Sequence, residues 1–347
     1  MVGKTFQEKL AAMTSRMAAN NNAIEVEHIR KQFGEFVAVH DVSFAVSEGE
    51  IFGLLGPNGA GKTTTIRMMT TLTIPTSGTA RVAGFYVLKK PDNVRNAIGV
   101  IPQAFTSDPD LTAYENMLIH CKLFGVAASE RGALIARLLE SVDLSAFSNS
   151  LVRTFSGGMR RRMEIARGLV HSPEIVFLDE PSTGLDPASR AKVWEMIRQL
   201  KEKSGLTVLL TTHYMEEADQ LCDRIAIVDH GRLVVLDTPG RLKQSIPGTD
   251  VVEADFDGAP ENWMEQLGKL RGALEVSVRN GLVHITSEDG TQTVADLMEL
   301  SRKMQVSVKH VSVQHTTLDD VFLHYTGRQL RDAAHGGSTV DIGHLYQ

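Results

Sequence analysis

Residues 56–63 form a glycine-rich segment, Gly-Pro-Asn-Gly-Ala-Gly-Lys-Thr, that matches the phosphate-binding pattern G-x-x-x-x-G-K-[ST] at every fixed position. The segment lies between an apolar run typical of a strand and a pattern typical of a helix, so its N–H groups can surround phosphate oxygens. Lys62 can reach the β- and γ-phosphates of a nucleotide, and the Thr63 hydroxyl suits Mg²⁺. The residues predicted to bind the nucleotide here are Gly56, Pro57, Asn58, Gly59, Ala60, Gly61, Lys62, Thr63 and Thr64.

A second chemical feature is the pair of acidic residues that follows an apolar run. Residues 175–178 are Ile-Val-Phe-Leu, and Asp179 and Glu180 come directly after them. Adjacent carboxylates are costly to bury unless they are paired or used in chemistry. We predict that Asp179 holds Mg²⁺, directly or through water, and that Glu180 polarises an attacking water. Together with the glycine-rich segment, this pair indicates a nucleotide hydrolase.

Four further features occur in a fixed order around this pair. They are Gln103, the segment Phe155-Ser156-Gly157-Gly158-Met159, the segment Thr183-Gly184-Leu185-Asp186, and His213. Over about residues 24–240, the sequence resembles the ATP-binding cassette (ABC) family, specifically the ATPase subunits of ABC transporters. The resemblance implies an α/β P-loop NTPase fold with a helical subdomain, and ATP and Mg²⁺ as cofactors.

In ABC ATPases, ATP is bound between two subunits, and each phosphate loop faces the partner's Ser-Gly-Gly signature. The resemblance therefore implies a homodimer in which Ser156, Gly157 and Gly158 complete the γ-phosphate cage across the interface. These residues open a predicted helix, which places a hydroxyl and N–H groups at its N-terminus. Asp186 matches the loop that crosses the same interface.

The resemblance gives roles to three more side chains. Gln103 would contact Mg²⁺ or water and relay nucleotide occupancy to the helical subdomain, and His213 would meet the γ-phosphate. Phe33 matches the aromatic residue that stacks on adenine, which needs only the π-face of its ring; a simple core phenylalanine is the alternative.

The signature departs from the commoner Leu-Ser-Gly-Gly-Gln at both ends. Phe155 and Met159 occupy these positions, and Met159 cannot make the hydrogen bonds of a glutamine. The phosphate-facing Ser-Gly-Gly is intact, so we expect hydrolysis to be retained. The Arg-Arg-Arg run at 160–162 has two interpretations, a nucleic-acid contact or a solvated helix face with one or two arginines near the interface, and we favour the second.

Composition limits the class of protein. The 347 residues are 42% hydrophobic and 22% charged with a net charge of −6, which disfavours a strongly cationic nucleic-acid binder. Only Cys121 and Cys222 are present, which excludes a disulfide framework. No apolar stretch approaches the ~18 residues that span a bilayer, and the N-terminus lacks the apolar core of a signal peptide. We expect a cytoplasmic protein with no nucleic-acid partner.

Short apolar runs alternate with helical patterns up to about residue 246, which predicts an α/β domain with a largely parallel sheet. Beyond it, the predicted order β-α-β-β-α-β indicates a small α+β domain of the ferredoxin-like kind. The boundaries that we predict are a tail with an amphipathic helical pattern (1–23), the ATPase domain (24–246, with its helical subdomain at about 104–172), the ferredoxin-like domain (247–326) and a flexible tail (327–347). Within the first domain, Val37–Val46 contains a turn-like His40-Asp41.

Finer similarities narrow the predicted function. The segments that resemble the drug-resistance exporter branch, related to daunorubicin-resistance ATPases, are Phe155–Arg167, Gly184–Arg190, Thr211–Asp223 and Asp320–Arg328. This similarity implies an ATPase subunit that drives export of a drug-like or lipid-like substrate through a permease on a separate chain, at the inner face of the cell membrane. The alternatives are a soluble ABC protein that acts on ribosomes or DNA, and a C-terminal domain that serves as a regulatory ligand sensor.

Overall fold

The computed structural model describes residues 22–246, 250–257, 259–260, 262–279 and 282–327. They divide between Leu236 and Asp237 into two compact units. This division differs from the expected one after residue 246, because the helix Pro239–Gln244 packs on the last helix, Leu318–Thr326. Of the two predicted tails, residues 1–21 and 328–347 lie outside the described residues.

The first unit is organised around one sheet of ten strands. Its strands are β1 (Asn22–Phe33), β2 (Phe36–Ser47), β3 (Ile51–Leu55), β4 (Ser77–Val82), β5 (Phe85–Tyr86), β6 (Ile98–Ile101), β7 (Ile175–Asp179), β8 (Thr207–Thr212), β9 (Arg224–Asp229) and β10 (Arg232–Asp237). They are arranged in the order β5-β4-β1-β2-β10-β9-β3-β8-β7-β6. Strands β9, β3, β8, β7 and β6 run parallel to their neighbours in that order, as the continuous apolar runs predict.

The helices of the first unit connect these strands. They are α1 (Lys62–Met69), α2 (Pro91–Ala97), α3 (Ala113–Leu123), α4 (Ala128–Ser141), α5 (Gly157–Gly168), α6 (Pro187–Ser204) and α7 (Met215–Leu221). Helices α3, α4 and α5 all lie between β6 and β7, with two short 3₁₀ turns between α4 and α5. Thr112 and Glu115 form a reciprocal capping box that fixes the start of α3.

The central parallel strands place the chemical residues at one edge of the sheet. Every residue of β3, β7 and β8 is buried, so a slip by one residue would move each side chain to the opposite covered face and disrupt its packing. In their register, Leu55 lies opposite Thr212 and Asp179 lies opposite Thr211. Because parallel strands end at the same edge, the segments after β3, β7 and β8 converge there.

The antiparallel part of the sheet differs from its prediction at one point. His40 and Asp41 do not form a turn; β2 is continuous from Phe36 to Ser47, so that expectation is wrong. The reason is a neighbour distant in sequence: Arg232 of β10 pairs with Asp41, and the His40 N–H donates to the Gly231 carbonyl at 2.8 Å. These partners keep the backbone extended.

The second unit is built on a four-stranded antiparallel sheet. Its elements are α8 (Pro239–Gln244), β11 (Asp250–Asp257), α9 (Trp263–Leu267), β12 (Ala273–Arg279), β13 (Leu282–Ser287), α10 (Gly290–Met304), β14 (Ser307–His315) and α11 (Leu318–Thr326). The strands are ordered β12-β13-β11-β14. Alternating residues of β11 and β13 face a core with Trp263, Leu267 and Leu297. Among the described residues, no helix has the length and apolarity needed to cross a membrane.

Phe177 provides a test of the parallel core, because its ring is fully buried in the middle of β7. We expect Phe177→Ala to lower the free energy of unfolding by about 3–5 kcal/mol, since it removes apolar burial and leaves a cavity. Chemical denaturation measures this loss. Phe36→Ala is the matched control: Phe36 is 54% exposed, so its loss should stay within about 0.5 kcal/mol. Equal losses for both variants would contradict the assigned core.

Candidate nucleotide-hydrolysis site

The glycine-rich segment joins β3 to α1 and is shaped by close backbone contacts. Gly61 precedes α1 with φ +97°, and a Cβ atom on it would lie 2.6 Å from the Ala38 carbonyl oxygen. A Cβ atom on Gly56 would lie 2.2 Å from the Val228 carbonyl oxygen. Both distances are shorter than any real Cβ contact, so these positions require glycine.

Lys62 is buried within this loop. Its Nζ donates to the carbonyl oxygens of Gly56, at 2.8 Å, and Pro57, at 3.0 Å. It also lies 3.6 Å from Glu180 Oε1. Burial lowers the pKa of Lys62, and the neighbouring carboxylates of Glu180 and Asp179 oppose that effect. The ammonium group is therefore positioned between the loop and the acidic strand end.

Two hydroxyl groups converge on Asp179. The Thr63 hydroxyl donates to Asp179 Oδ1 at 3.2 Å, and the Thr211 hydroxyl donates to the same oxygen at 2.5 Å. Sequence reasoning found Thr63 and Asp179 but missed Thr211. The available signal was a hydroxyl residue at the end of an apolar strand, two positions before His213. All three groups offer the oxygen ligands that Mg²⁺ prefers.

Glu180 lies at the centre of the site and has an uncommon backbone. Its φ of +49° is in the left-handed region, where a residue with a Cβ atom is strained. Its N–H is held by the carbonyl oxygen (3.1 Å) and the hydroxyl (3.0 Å) of Thr211. Its Oε2 accepts hydrogen bonds from Gln103 Nε2 and from the Thr183 hydroxyl, each at 3.1 Å. His213 Nδ1 lies 3.2 Å from Oε2, outside hydrogen-bond geometry.

The surroundings of Glu180 determine its ionisation. Burial by itself raises the pKa of this carboxyl, whereas His213, Lys62 and Thr183 lower it. The lowering effects prevail, so the pKa of Glu180 lies below its ordinary value of 4.5. Glu180 is therefore a carboxylate at neutral pH.

Phe33 lies at the end of β1 and is only half-buried, outside the hydrophobic core. Lys31 Nζ lies 4.7 Å from the centre of its ring. Phe33 is therefore not a fully buried residue, and its stacking on adenine stays a prediction.

The signature residues and Asp186 act as helix caps in the monomer. Ser156 caps α5 and accepts a hydrogen bond from the Met159 N–H at 3.2 Å. Asp186 caps α6 in the same way through Ser189 N–H at 2.9 Å, and its hydrogen bonds to Ser189 lower the pKa of its carboxyl. A Cβ atom on Gly158 would lie 2.5 Å from the Ser189 hydroxyl, so the starts of the two helices are in contact. Within the described chain, neither cap is hydrogen-bonded to residues 56–63.

The prediction of a solvated face at 160–162 is wrong. Arg161 and Arg162 are buried, and Arg160 is half-buried. They donate to backbone or hydroxyl oxygens of other segments: Arg161 to residues 102 and 103, Arg162 to Val142, and Arg160 to Ser107. The reason is that α5 is packed against its neighbours on most sides, so the side chains of this run have few positions that face water.

Known proteins resemble this chain over most of its length. A family model described as ABC transporter matches residues 39–183. The chain is 41% identical over 314 residues to the daunorubicin/doxorubicin resistance ATP-binding protein of Streptomyces peucetius, covering 89% of this chain and 94% of that protein. It is 38% identical over 310 residues to the Nod factor export ATP-binding protein I of Paraburkholderia xenovorans, covering 89% and 99%. This chain belongs to the ABC transporter ATP-binding family.

A solved structure supports the same conclusion for the first unit. It is a dimeric ATP-binding cassette in a post-hydrolysis state bound to ADP and Pi, 27% identical, with a TM-score of 0.56 over 62% of this chain and 98% of that chain. The predicted ABC P-loop fold and the resemblance to the daunorubicin-resistance branch are confirmed. The chain is an ABC ATPase that binds ATP.

Thr211 allows a test of the strand-end geometry of this ABC ATPase. We expect Thr211→Val to lower the free energy of unfolding by about 1–3 kcal/mol, because it removes a buried donor to Asp179. We also expect a lower ATPase rate. Thr207→Val is the control, because Thr207 accepts from the Gly49 N–H at the opposite end of the same strand. Thr207→Val should lower the free energy of unfolding by a similar amount and leave the ATPase rate unchanged. Equal ATPase rates for the two variants would contradict the role given to Thr211.

Proposed function

We propose that this ABC ATPase powers an exporter. Two copies close around two molecules of MgATP and drive a drug-like or lipid-like compound through a permease on a separate chain. The relatives whose names include resistance or export support this class of function. The observation that carries the catalytic part is the buried Glu180 carboxylate, which contacts Lys62, Gln103, Thr183 and His213.

Glu180 acts as the group that orients the attacking water and takes its proton. Its depressed pKa keeps it ionised, and Gln103 and Thr183 fix the direction of Oε2. Lys62 exchanges the loop carbonyls for the β- and γ-phosphate oxygens. His213, held beside Glu180, contacts the γ-phosphate. Little covalent chemistry is required of the protein in phosphoryl transfer, so this positioning is its main contribution.

The oxygen donors at the strand ends fit Mg²⁺. Thr63 and Asp179 would hold it, the latter directly or through water, with Gln103 as a further contact. The described residues contain no cluster of three or more His, Cys, Asp or Glu suited to a metal. Phosphates and water would supply the other ligands, as is usual for Mg²⁺. When bound, Mg²⁺ neutralises charge on the phosphate oxygens.

The remaining half of each site comes from the second subunit. Ser156 and Gly157 are exposed at the N-terminus of α5, where a hydroxyl and N–H groups suit a γ-phosphate. Gly158 keeps this helix start close to α6, and Asp186 at the start of α6 belongs to the same interface. The dimeric cassette found among similar structures supports this arrangement.

Phe33 provides the platform for adenine. Its ring is half-buried at the end of β1, and Lys31 Nζ lies over it. Stacking requires a π-face and no hydroxyl, so phenylalanine suffices.

The second unit is a ferredoxin-like domain. Its element order β-α-β-β-α-β and its antiparallel sheet in the order β12-β13-β11-β14 support this assignment. The domains that we propose for the chain are the ATPase, with its helical subdomain at about 104–172, followed by this appended domain. The partnership with a permease places the ATPase at the inner face of the cell membrane.

Replacement of the proposed base tests the hydrolytic mechanism. We expect Glu180→Gln to retain ATP binding, to accumulate closed dimer and to lose about 10²–10⁴-fold in turnover, because an amide cannot take the proton. Steady-state ATPase rates and size-exclusion chromatography with ATP measure these effects. Glu216→Gln is the control, since Glu216 is exposed on α7. Near-normal turnover of purified Glu180→Gln would contradict the base role.

Reconstitution tests the exporter assignment. In vesicles that contain the ATPase and the permease that it binds, a transported compound should raise the ATPase rate and accumulate on the far side of the membrane. The Glu180→Gln complex should show neither effect with the same compound. Failure of every drug-like and lipid-like compound to stimulate an active complex would overturn the proposed substrate class.

A further inference from the structure

The segment that contains Gln103 is attached to the signature helix α5 by a buried arginine. Arg161 Nη1 donates to the Pro102 carbonyl at 2.8 Å, and its Nη2 donates to the Gln103 carbonyl at 2.6 Å. Arg161 is only 2% exposed. The guanidinium therefore holds two consecutive peptide groups at once, including that of the residue whose side chain contacts Glu180.

A buried carboxylate holds the other end of the same segment. Glu164 Oε1 accepts hydrogen bonds from the N–H groups of Thr106, at 2.9 Å, and Ser107, at 2.7 Å. Glu164 Oε2 accepts from the Thr106 hydroxyl at 3.0 Å. Arg167 donates to both Glu164 and Thr106. Residues 102–107 are thus bound to α5 at both ends.

The middle of the segment also contacts α5. The Phe105 ring has the guanidinium of Arg160 4.7 Å and that of Arg161 5.0 Å from its centre, distances at which a cation and a ring attract each other. Arg160 also donates to the hydroxyl and the carbonyl oxygen of Ser107. We use the name α5 clamp for Arg161 and Glu164 together with the segment 102–107 that they hold.

This arrangement is costly for stability alone. A buried guanidinium loses its hydration, and among the described residues Arg161 forms no ion pair and its Nε makes no hydrogen bond. The charges of Glu164, Asp179 and Glu217 offset only part of this loss, because burial still lowers the pKa of Arg161. Arg162, the next residue, shows what a structural arginine does in the same helix. It donates to the Val142 carbonyl and lies 3.7 Å from Asp143, both on the segment after α4, and among the described residues it makes no hydrogen bond to residues 102–107.

We propose that Arg161 and Glu164 are positioning residues that make the Gln103 segment move with the signature helix as one body. The hydrogen bond from Gln103 to Glu180 then forms only in the orientation of α5 in which Ser156, at the N-terminus of this helix, can meet the nucleotide. The nucleotide therefore binds the signature at the same time as Gln103 completes the Glu180 site. This inference deepens the proposed function and rests on its assignment of Gln103 and Glu180.

A double-mutant cycle on the full-length chain tests the α5 clamp. Arg161→Gln removes the paired donation to the carbonyls, and Gln103→Ala removes the side chain that they position. If Arg161 acts through Gln103, each single variant should lower kcat about tenfold with KM for ATP nearly unchanged, and the double variant should be no slower than Gln103→Ala alone. Arg161→Lys, which keeps the charge but loses the fork of donors, should fall between wild type and Arg161→Gln.

Arg162→Gln is the matched control because Arg162 is a buried arginine of the same helix. It should lower Tm without lowering kcat, alone or in the Gln103→Ala background. A kcat for Arg161→Gln,Gln103→Ala equal to the product of the two single effects would overturn the α5 clamp, as would an unchanged kcat in a folded Arg161→Gln or Arg161→Lys protein. These outcomes are distinct from failure of the hydrolytic assignment, which Glu180→Gln reports, and from failure of the export assignment, because the cycle needs no permease.

Discussion

The contact between the Lys62 ammonium and the Glu180 carboxylate is the interaction around which the ATPase unit is organised. The two groups are buried and lie 3.6 Å apart. Neither could be kept charged at this depth by itself, because removing one partner of a buried pair leaves an uncompensated charge that costs about 3–5 kcal/mol. The carbonyls of the phosphate loop satisfy the ammonium, and the donors Gln103 and Thr183 satisfy the carboxylate. The loop, the acidic strand and the helical region are therefore all tied to one charge pair.

Thr211 explains how the acidic strand can end in a strained residue. A left-handed residue with a Cβ atom costs roughly 1–2 kcal/mol relative to the ordinary helical conformation. Thr211 offsets this cost at Glu180 by accepting its N–H with both a carbonyl and a hydroxyl oxygen. The same hydroxyl donates to Asp179, so Thr211 holds two successive acidic residues in place. One of them is proposed to hold Mg²⁺ and the other to act on the attacking water. The register of β7 with β8, set by apolar burial, brings Thr211 opposite this strand end.

The features that could be predicted from the sequence are those in which residues close together in the chain carry both a structural pattern and the reactive groups. The phosphate loop and the strand that ends at Asp179 could be placed because this glycine spacing and a short, wholly apolar run are each compatible with few local structures. The role of Thr211 could not be predicted, since its partner depends on which strands are neighbours in the sheet. The burial of Arg161 and Arg162 could not either, because a run of arginines carries no periodicity that shows which faces of a helix are covered. The continuity of β2 at His40 likewise depends on β10, far along the chain.

The low pKa of Glu180 limits what kind of base it is. A carboxylate stabilised by Lys62, His213 and Thr183 is a weak proton acceptor, so it cannot generate free hydroxide before the γ-phosphate bond breaks. A largely dissociative transition state does not require that, because the water becomes acidic only as it bonds to phosphorus. What the reaction needs from Glu180 is a fixed direction for its oxygen at that moment. The Thr183 hydroxyl does both, because its hydrogen bond lowers the pKa of this carboxyl and fixes the direction of Oε2, so at this contact the site trades basicity for orientation.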